Sequence, residues 1–418
     1  MTKTLFLFIF PLILIACSKN DNGSNLRPQS PSITGITPDV GTSGTEVTIS
    51  GTNFSATPAN DIVKFNGLSA TVKSATDTSI IATAPTGVTT GKITVTVNSS
   101  TASSPTDFVV LTGTWVRKAD YGGSARYGAS GFSIGGKAYI IGGGNIAYQW
   151  ETDFWEYDTA SNQWTQKANF PGLGRQWAVA FAIGNKGYFG VGYNNWGQYN
   201  NDFWEYDPAL DQWTKKADFP GTGWSRTEAI GFGFSDAGFV GLGSIPPFHT
   251  GGFNDIWKYS PATNTWTAAG TFPGHVYWGI SATNTSDKGF VFFGSGAVDV
   301  LNEGWMFDPA TEGWSYINNV PASPRVDGVA FAIGSKIYVG FGSNNISAVY
   351  GDLWEMDIAT NQWQRKADFP GPARASLFGF SIGNHGYIGT GQDSSRYVGT
   401  SGDLDLTSSL KDFWQFTP

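Results

Sequence analysis

The sequence predicts an all-β protein in which a small β-sandwich is followed by a six-bladed β-propeller. Glycine reaches 55 of the 418 residues and aromatic residues make up 15%, a composition typical of turn-rich β proteins. Short alternating strand patterns occupy residues 31–111, and a tryptophan-centred phrase then recurs along residues 112–418. The net charge of −8 offers no general attraction to nucleic acid, so we expect no nucleic-acid partner.

Residues 1–16 have the features of an export signal. Lys3 supplies a positive charge, and the apolar stretch 5–15 is too short to span a bilayer as a permanent helix. The four residues from Leu14 to Cys17 resemble the lipobox of bacterial lipoproteins. This resemblance implies cleavage before Cys17 and attachment of lipid to its sulfur. The alternative is an ordinary signal peptide that happens to contain a cysteine.

Cys17 is the only cysteine in the chain, which excludes a disulfide within one molecule. The polar residues 17–30 read as a flexible, lipidated tether. Ser18, which follows the lipidated position, favours the outer membrane by resemblance to known lipoprotein sorting rules. We therefore expect a protein of the bacterial cell envelope, periplasmic or exposed on the cell surface, that contacts the membrane through its lipid anchor only.

Residues 31–111 are predicted to form the β-sandwich. Apolar and polar residues alternate around Val47 and Val95, so one face of each strand is expected to be buried. The succession of apolar, proline and glycine residues from Ile33 to Phe54 resembles the start of IPT/TIG domains, an immunoglobulin-like family, and the likeness extends to Phe108. The resemblance implies a spacer that lifts the next domain from the membrane. Direct ligand binding by this module is the alternative.

The phrase that recurs after residue 112 is centred on a tryptophan flanked by acidic and aromatic residues. Its tryptophans are separated by 49, 53, 48, 49 and 60 residues, and they are Trp155, Trp204, Trp257, Trp305, Trp354 and Trp414. A second tryptophan follows after a turn in five repeats, and an apolar strand that ends in glycine precedes each phrase. Each repeat thus supplies four short strands, the content of one propeller blade. The glycine, tyrosine and tryptophan spacing resembles the kelch repeat, although several repeats lack its glycine doublet.

The ends of the repeat region predict how the propeller closes. The sixth repeat stops at Pro418 before its fourth strand, while Trp115 has no preceding partner. We therefore expect the strand at residues 115–120 to complete the last blade and to cover its free edge. The Lys-Ala-Asp ending of this strand, shared with residues 216–218 and 366–368, is interpreted as charged protection of outer edges. The recurrent tryptophans and Asp-Pro turns are interpreted as packing between sheets and as turn chemistry.

An arginine stands six residues before an innermost-strand phenylalanine in five of the six repeats. These arginines are Arg126, Arg175, Arg226, Arg325 and Arg374. The fourth repeat has His275 and Val276 instead. Strand order places these positions on the face that carries the loops between second and third strands, so we expect them to ring the channel mouth and to bind an anionic ligand. The alternative is structural, in which they bond backbone between blades or pair with acids such as Glu228 and Asp327.

Aromatic residues are predicted to share this face with the arginines. Those beside the arginine positions are Trp177, Trp224 and Trp278. Those in the loops, together with two basic residues, are Trp150, Trp196, Tyr199, Phe248, His249, Tyr350, Arg396 and Tyr397. Aromatic faces beside hydrogen-bonding side chains suit a sugar or a peptide, so the preferred hypothesis is a non-catalytic glycan- or protein-binding propeller with its ligand at the channel mouth.

Enzymatic hypotheses follow from relatives of the kelch fold. Galactose oxidase needs two histidines and a cysteine-linked tyrosine, whereas here the only cysteine is Cys17 and the three histidines occupy unlike positions. Copper chemistry is therefore rejected, and we expect no metal or other cofactor. The kelch propellers also include sialic acid mutarotases. Resemblance to these implies, as the alternative function, a sugar-ring isomerase in which Glu228 transfers the proton and arginines hold the sugar acid.

Overall fold

The chain divides into two units, with the boundary between Val110 and Leu111. The computed structural model describes residues 29–145, 147, 149–194, 200–221, 226–244, 251–275, 278–296, 299–344, 348–393 and 409–418. Both units are built from β-strands, as the composition predicts, and a single turn of 3-10 helix at Pro58–Asn60 is the one helical element of the described residues. None of the helical structure described is long or apolar enough to cross a membrane.

The first unit is a sandwich of two sheets. One sheet has the strand order β1-β3-β7-β6 and the other β2-β9-β8-β4-β5. The strands are β1 (Ser32–Thr37), β2 (Val40–Gly41), β3 (Glu46–Thr52), β4 (Ile62–Phe65), β5 (Leu68–Ser69), β6 (Thr71–Ala75), β7 (Ser79–Thr83), β8 (Gly91–Val97) and β9 (Ser100–Val110). Alternate residues such as Val47, Ile80 and Val95 are fully buried between the sheets. The predicted alternation of apolar and polar residues is therefore confirmed.

The described residues of the second unit form six sheets of four antiparallel strands each and one short two-stranded sheet, and this confirms the predicted propeller. Blades 1 to 3 consist of β11 (Tyr127–Ile134), β12 (Lys137–Gly144), β13 (Phe154–Asp158) and β14 (Gln163–Lys167); β15 (Val179–Ile183), β16 (Lys186–Gly190), β17 (Phe203–Asp207) and β18 (Gln212–Lys215); and β19 (Ile230–Gly233), β20 (Gly238–Gly241), β21 (Asp255–Ser260) and β22 (Thr265–Thr271). Blades 4 and 5 consist of β23 (Ser281–Asn284), β24 (Gly289–Phe292), β25 (Gly304–Asp308) and β26 (Gly313–Ile317); and β27 (Val329–Ile333), β28 (Lys336–Gly340), β29 (Leu353–Asp357) and β30 (Gln362–Arg365).

Blade 6 joins the two ends of the propeller, as the sequence predicts. It contains β10 (Thr114–Arg117) together with β32 (Phe378–Ile382), β33 (His385–Gly389) and β35 (Phe413–Thr417). In the ladder between β10 and β35, Trp115 lies opposite Phe416. The Trp115 indole also packs edge-on against Phe369 of blade 5, with ring centres 5.1 Å apart. The closing strand therefore buries apolar surface in two neighbouring blades.

In five of the six blades, all but blade 4, the tryptophan of the outermost strand forms a hydrogen bond to the neighbouring blade. The indole Nε1 of Trp164, Trp213, Trp266, Trp363 and Trp115 donates a hydrogen bond to a backbone carbonyl of the preceding blade, at 2.9–3.3 Å. The Asp-Pro turns also act as predicted, because Asp207 Oδ1 and Asp308 Oδ1 each accept a backbone N–H two residues later. The tryptophans and the turns are structural.

The Lys-Ala-Asp endings only partly match the predicted edge protection. Asp368 forms an exposed ion pair with Arg365, as a charged outer edge requires. Lys366 is instead 4% exposed, and its ammonium group lies 2.9 Å from Glu355. This lysine, which directly follows β30, is therefore buried, and its ammonium group binds Glu355 of β29 and the hydroxyl of Thr112.

The predicted sharing of one face by two sets of loops is confirmed. In blades 2 to 5, an isolated bridge joins the segment that enters the innermost strand to the loop between the second and third strands, for example Gln176 to Tyr193 and Val326 to Ser343. We call this side of the propeller the loop face. The hairpins between first and second strands and between third and fourth strands lie on the opposite side, which we call the hairpin face. Two short strands of blade 6, β31 (Arg374–Ala375) and β34 (Gln392–Asp393), pair on the loop face.

Candidate functional site

The five repeated arginines lie in closely similar buried ion pairs. Each guanidinium binds both carboxylate oxygens of the aspartate that opens the tryptophan phrase of its own blade, with Nη to Oδ distances of 2.5–3.1 Å. The pairs are Arg126–Asp153, Arg175–Asp202, Arg226–Asp255, Arg325–Asp352 and Arg374–Asp412. The same aspartate accepts the indole N–H of the phrase tryptophan two residues later, as Asp352 does from Trp354 at 2.8 Å. One carboxylate thus anchors an arginine and a tryptophan.

The arginines have no exposed surface with which to meet a ligand. All five side chains are 0–1% exposed. Each also donates to the carbonyl of the residue sixteen positions later, and most stack on an aromatic ring, as Arg325 does on Tyr350 at 4.0 Å. The expectation that Arg126, Arg175, Arg226, Arg325 and Arg374 contact a ligand at the channel mouth is therefore wrong. Their charges are neutralised inside the blades, which is the structural alternative.

The ion pairs make the stability of the propeller sensitive to acid. Burial tends to raise the pKa of Asp352, but the hydrogen bonds and charge of Arg325 outweigh it and hold that pKa below its ordinary value. The pKa values of Asp202, Asp255 and Asp412 are lowered for the same reason. A carboxylate whose pKa is lower in the folded than in the unfolded state contributes stability above its unfolded pKa, and this contribution is lost as the pH falls through the folded pKa.

We expect the urea midpoint of the propeller to fall as the pH drops below about 5, since unfolded aspartates begin to bind protons there. Replacement of Asp352 by asparagine should lower the midpoint at pH 7 and make its further decrease in acid shallower. Urea denaturation followed by tryptophan fluorescence between pH 7 and pH 3 measures both effects. A variant whose midpoint shows the same pH dependence as the wild-type protein would contradict the assignment.

The mouth of the channel on the loop face is formed by the residues two positions after the five arginines and by the equivalent residue of blade 4. They are Gly128, Trp177, Glu228, Gly279, Asp327 and Ser376, one from each blade, and all have left-handed backbone conformations with φ between 52° and 65°. Five of them donate a backbone N–H to the carbonyl of the equivalent residue in the preceding blade, at 2.9–3.1 Å. We call these six residues the mouth ring. Left-handed φ is uncommon outside glycine, so its recurrence indicates that the blades impose it.

The mouth ring is interrupted at one position. The N–H of Gly279 donates to Glu228 Oε2 at 2.9 Å, so a carboxylate stands where a backbone carbonyl closes the other links. Glu228 and Asp327 are both half-buried, and they flank Gly279 in the ring. The side chains at the mouth therefore differ from blade to blade although the backbone is repeated.

A recess of about 140 Å³ opens inside the mouth ring. Its lining includes Trp177, Glu228, Asp327 and Ser376, and also the hydroxyl-bearing Ser130. Among the described residues that line it, two are carboxylates and none is a lysine, arginine or histidine. The described lining of the mouth therefore offers carboxylate hydrogen-bond acceptors beside an indole, where the prediction expected arginines.

The structure gives a different answer for each of the three tryptophans predicted to bind ligand. Trp177 lies in the mouth ring, with its indole next to Gly128. Trp278 is 8% exposed. It occupies the position directly before the ring residue, and the residue at this position is buried in the other blades too. The prediction that it faces a ligand is therefore wrong. Trp224 lies outside the described residues.

Some of the predicted loop residues also lie outside the described residues. These are Trp196, Tyr199, Phe248, His249, Arg396 and Tyr397, together with Val276. The described His275 is exposed. His385 Nδ1 lies 2.9 Å from Thr417 Oγ1 on the hairpin face. Within the described part of the chain, no three histidine, cysteine or acidic side chains are close enough together to hold a metal ion.

Below the mouth, the channel is lined by small uncharged residues. Its middle part, about 150 Å³, is surrounded by alanine and glycine positions such as Ala129, Ala180 and Gly231. It widens at the hairpin face into a cavity of about 420 Å³ whose described lining also carries no charged side chain. Specific recognition in the channel therefore depends on its two openings.

Comparisons with known proteins agree with this architecture. The IPT/TIG domain model matches residues 31–110, the Kelch motif matches residues 125–171, and the KLHDC2/KLHL20/DRC7 Kelch-repeats domain matches residues 247–398. Among solved structures, one described as "Structure of YjhT" is 17% identical, with a TM-score of 0.59, and the match covers 71% of this chain and 95% of that one. At this identity the likeness shows the fold alone. No curated protein matches the chain.

Proposed function

We propose that this kelch-type propeller, which follows an IPT/TIG domain, is a non-catalytic binding protein of the cell envelope that holds a neutral glycan at its channel mouth. The observation that carries the proposal is the recess inside the mouth ring, where one indole and two carboxylates are held on a rigid backbone. Fixed groups of this kind lose little conformational entropy when a ligand binds.

The chemistry of the recess favours a sugar with free hydroxyl groups. Carboxylate oxygens of Glu228 and Asp327 accept hydrogen bonds from hydroxyls, and the apolar face of the Trp177 indole suits the C–H face of a pyranose ring. The serine hydroxyl of Ser376 can both donate and accept. The arginines predicted to hold an acidic glycan are buried, and the described lining contributes two carboxylates, which bind hydroxyls. A neutral glycan is therefore preferred over an acidic one.

Three substitutions at the mouth test this proposal without disturbing the left-handed backbone. Trp177→Gly and Asp327→Ser introduce residues that other blades carry at the same position, and Glu228→Gln keeps an oxygen for the Gly279 N–H. On a glycan array at pH 7, we expect each variant to lose about tenfold or more of the affinity for neutral glycans, the effect of one hydrogen bond or stacking contact. Glu46→Gln, an exposed site in the first unit, is the matched control.

Two experimental results would favour a different function. Capture of an envelope protein that depends on Trp177, without glycan binding, would make the mouth a protein-binding site. The second candidate function is a sugar-ring isomerase, favoured by the half-buried Glu228 carboxylate at the mouth. It predicts that anomer exchange of N-acetylneuraminate is faster with the wild-type protein than with Glu228→Gln, and equal rates would exclude it. The arginines assigned to hold the sugar acid are buried, so this candidate lacks its anion-binding groups.

The membrane anchor is a further part of the proposal, and it rests on the residues from Leu14 to Cys17, which lie outside the described residues. We expect the wild-type protein to incorporate labelled palmitate in a bacterial host and to sediment with membranes. Cys17→Ser should abolish both properties. Labelled, membrane-bound protein in the Cys17→Ser variant would contradict lipidation at this residue.

A further inference from the structure

On the hairpin face, four of the six blades carry the same ion pair. A lysine at the start of the second strand binds an aspartate at the end of the third strand: Lys137 with Asp158, Lys186 with Asp207, Lys288 with Asp308 and Lys336 with Asp357. Blade 6 has a hydrogen bond between His385 and Thr417 instead. The long lysine side chains therefore cover the end of the sheet in blades 1, 2, 4 and 5.

Blade 3 has lost both members of this pair. Gly238 lies opposite Tyr259 in its ladder, which places Ala237 and Ser260 where the other blades have lysine and aspartate. Both replacements are small, so the lysine stem and the carboxylate that cover the sheet end elsewhere are missing here. Because both the lysine and the aspartate are absent from blade 3, neither charge is left unpaired, and the volume of their side chains is left open.

The neighbouring position of blade 3 has the opposite charge from its counterparts. Blades 1, 2 and 5 have Tyr-Glu hydrogen bonds here, in which Tyr139, Tyr188 and Tyr338 donate to Glu156, Glu205 and Glu355. Blade 3 has Phe239 and Lys258, and the Lys258 ammonium nitrogen lies 5.5 Å from the centre of the Phe239 ring. Its acidic neighbour is Glu312, 3.5 Å away with both side chains 37% exposed, a weak pair.

These substitutions coincide with a recess of about 340 Å³ at the junction of blades 3 and 4. Its lining includes Lys258, Ser235 and Ser286, and behind them the buried core residues Phe234 and Phe239. Three residues, at positions 234, 235 and 286, also line the wide end of the central channel, so the two cavities are adjacent. Asp236 is exposed at the recess and is the one acidic residue in its described lining.

We propose that this blade-3 recess is a second binding site, for a sugar that carries a carboxylate. The carboxylate accepts hydrogen bonds from the Lys258 ammonium group, which then exchanges its weak partner Glu312 for the ligand. The sugar hydroxyls bind Ser235 and Ser286, which line the same recess. The site is on the opposite face from the mouth ring, and it does not depend on the function proposed there.

Titration calorimetry with D-glucuronate and D-glucose tests the site on the full chain. We expect glucuronate to bind and glucose to bind at least about tenfold more weakly, since glucose lacks the carboxylate. Lys258→Gln should weaken glucuronate by about tenfold or more. Glu312→Gln should strengthen it, because the competing carboxylate is removed. Absence of glucuronate binding, or equal binding to the wild-type and Lys258→Gln proteins, would overturn the proposal.

A variant that restores the lysine–aspartate pair in blade 3 gives the most direct test of the site. The double change Ala237→Lys with Ser260→Asp restores the pair found in four other blades, so we expect it to fold normally, to fill the recess and to abolish glucuronate binding. The matched control, Lys186→Ala with Asp207→Ser, removes the pair from blade 2 and should leave glucuronate binding unchanged. Trp177→Gly should also leave it unchanged, which separates this site from the channel mouth. Glucuronate binding that survives the repair would show that the recess is not the site.

Discussion

Replacing Arg325 by alanine is expected to lower the free energy of unfolding by about 3–5 kcal/mol, the cost of removing one partner from a buried ion pair. Arg325 is 1% exposed and satisfies Asp352, the carbonyl of Phe341 and the carbonyl of Ser323. Its loss leaves the Asp352 carboxylate without a counter-charge and the Phe341 carbonyl without this donor. Chemical denaturation at pH 7, followed by tryptophan fluorescence, measures the change.

Arg365 supplies the matched control, because it is an arginine of the same blade in an exposed pair with Asp368. Arg365→Ala should cost no more than about 1 kcal/mol. The double variant Arg325→Met with Asp352→Leu should be more stable than Arg325→Ala alone, since no buried charge is left unpaired. If Arg325→Ala and Arg365→Ala had equal effects, the structural role assigned to the buried arginines would be wrong.

The second large effect is expected from replacing β10, residues Thr114–Arg117, by Gly-Ser-Gly-Ser. Trp115 packs on Phe416 with ring centres 4.9 Å apart and donates to the Ala367 carbonyl, so its loss exposes apolar surface in blades 5 and 6. Removal of a large aromatic side chain alone costs about 3–5 kcal/mol, and here a strand ladder is lost as well. We expect a lower unfolding temperature and rapid proteolysis within blade 6.

The equivalent outer strand of blade 2, Gln212–Lys215, is the control for this replacement. Its Trp213 makes the same kind of contact with the preceding blade, but the chain continues into and out of the blade on both sides. We expect the same Gly-Ser-Gly-Ser change to destabilise blade 2 less and to leave blade 6 resistant to protease. A propeller that remained compact and protease-resistant after loss of β10 would contradict closure by this strand.

Most of the fold could be predicted because it is encoded by local, repeated patterns. The alternation around Val47 and Val95 identifies the buried face of a strand, whatever sheet it joins. The tryptophan phrase recurs at intervals of 48–60 residues, so the strands identified in one repeat predict the strands of the other five. Closure by Trp115 followed from an unpaired strand pattern at each end of the repeats.

The candidate site was harder to predict, because the same repetition that reveals the fold hides which repeated residues are structural. The arginines and the mouth ring are two residues apart, and that spacing could have identified the ring. The arginine recurs in five blades and pairs with a recurring aspartate, as a structural residue should. The ring position instead varies among glycine, tryptophan, glutamate, aspartate and serine, as a recognition position does.

The sequence by itself determined the class of the fold, the number of blades and the strand that closes them, since these depend on side-chain periodicity along the chain. Only the tertiary structure decided which charges neutralise each other. Asp153 follows Arg126 by 27 residues, and no local pattern states that their side chains meet. Burial of the arginines showed that Glu228 and Asp327, not the arginines, line the described mouth. The absence of the ion pair at Ala237 and Ser260 became visible once the blades could be compared in space. Electrostatic interactions depend on distance and burial, and both are properties of the folded chain.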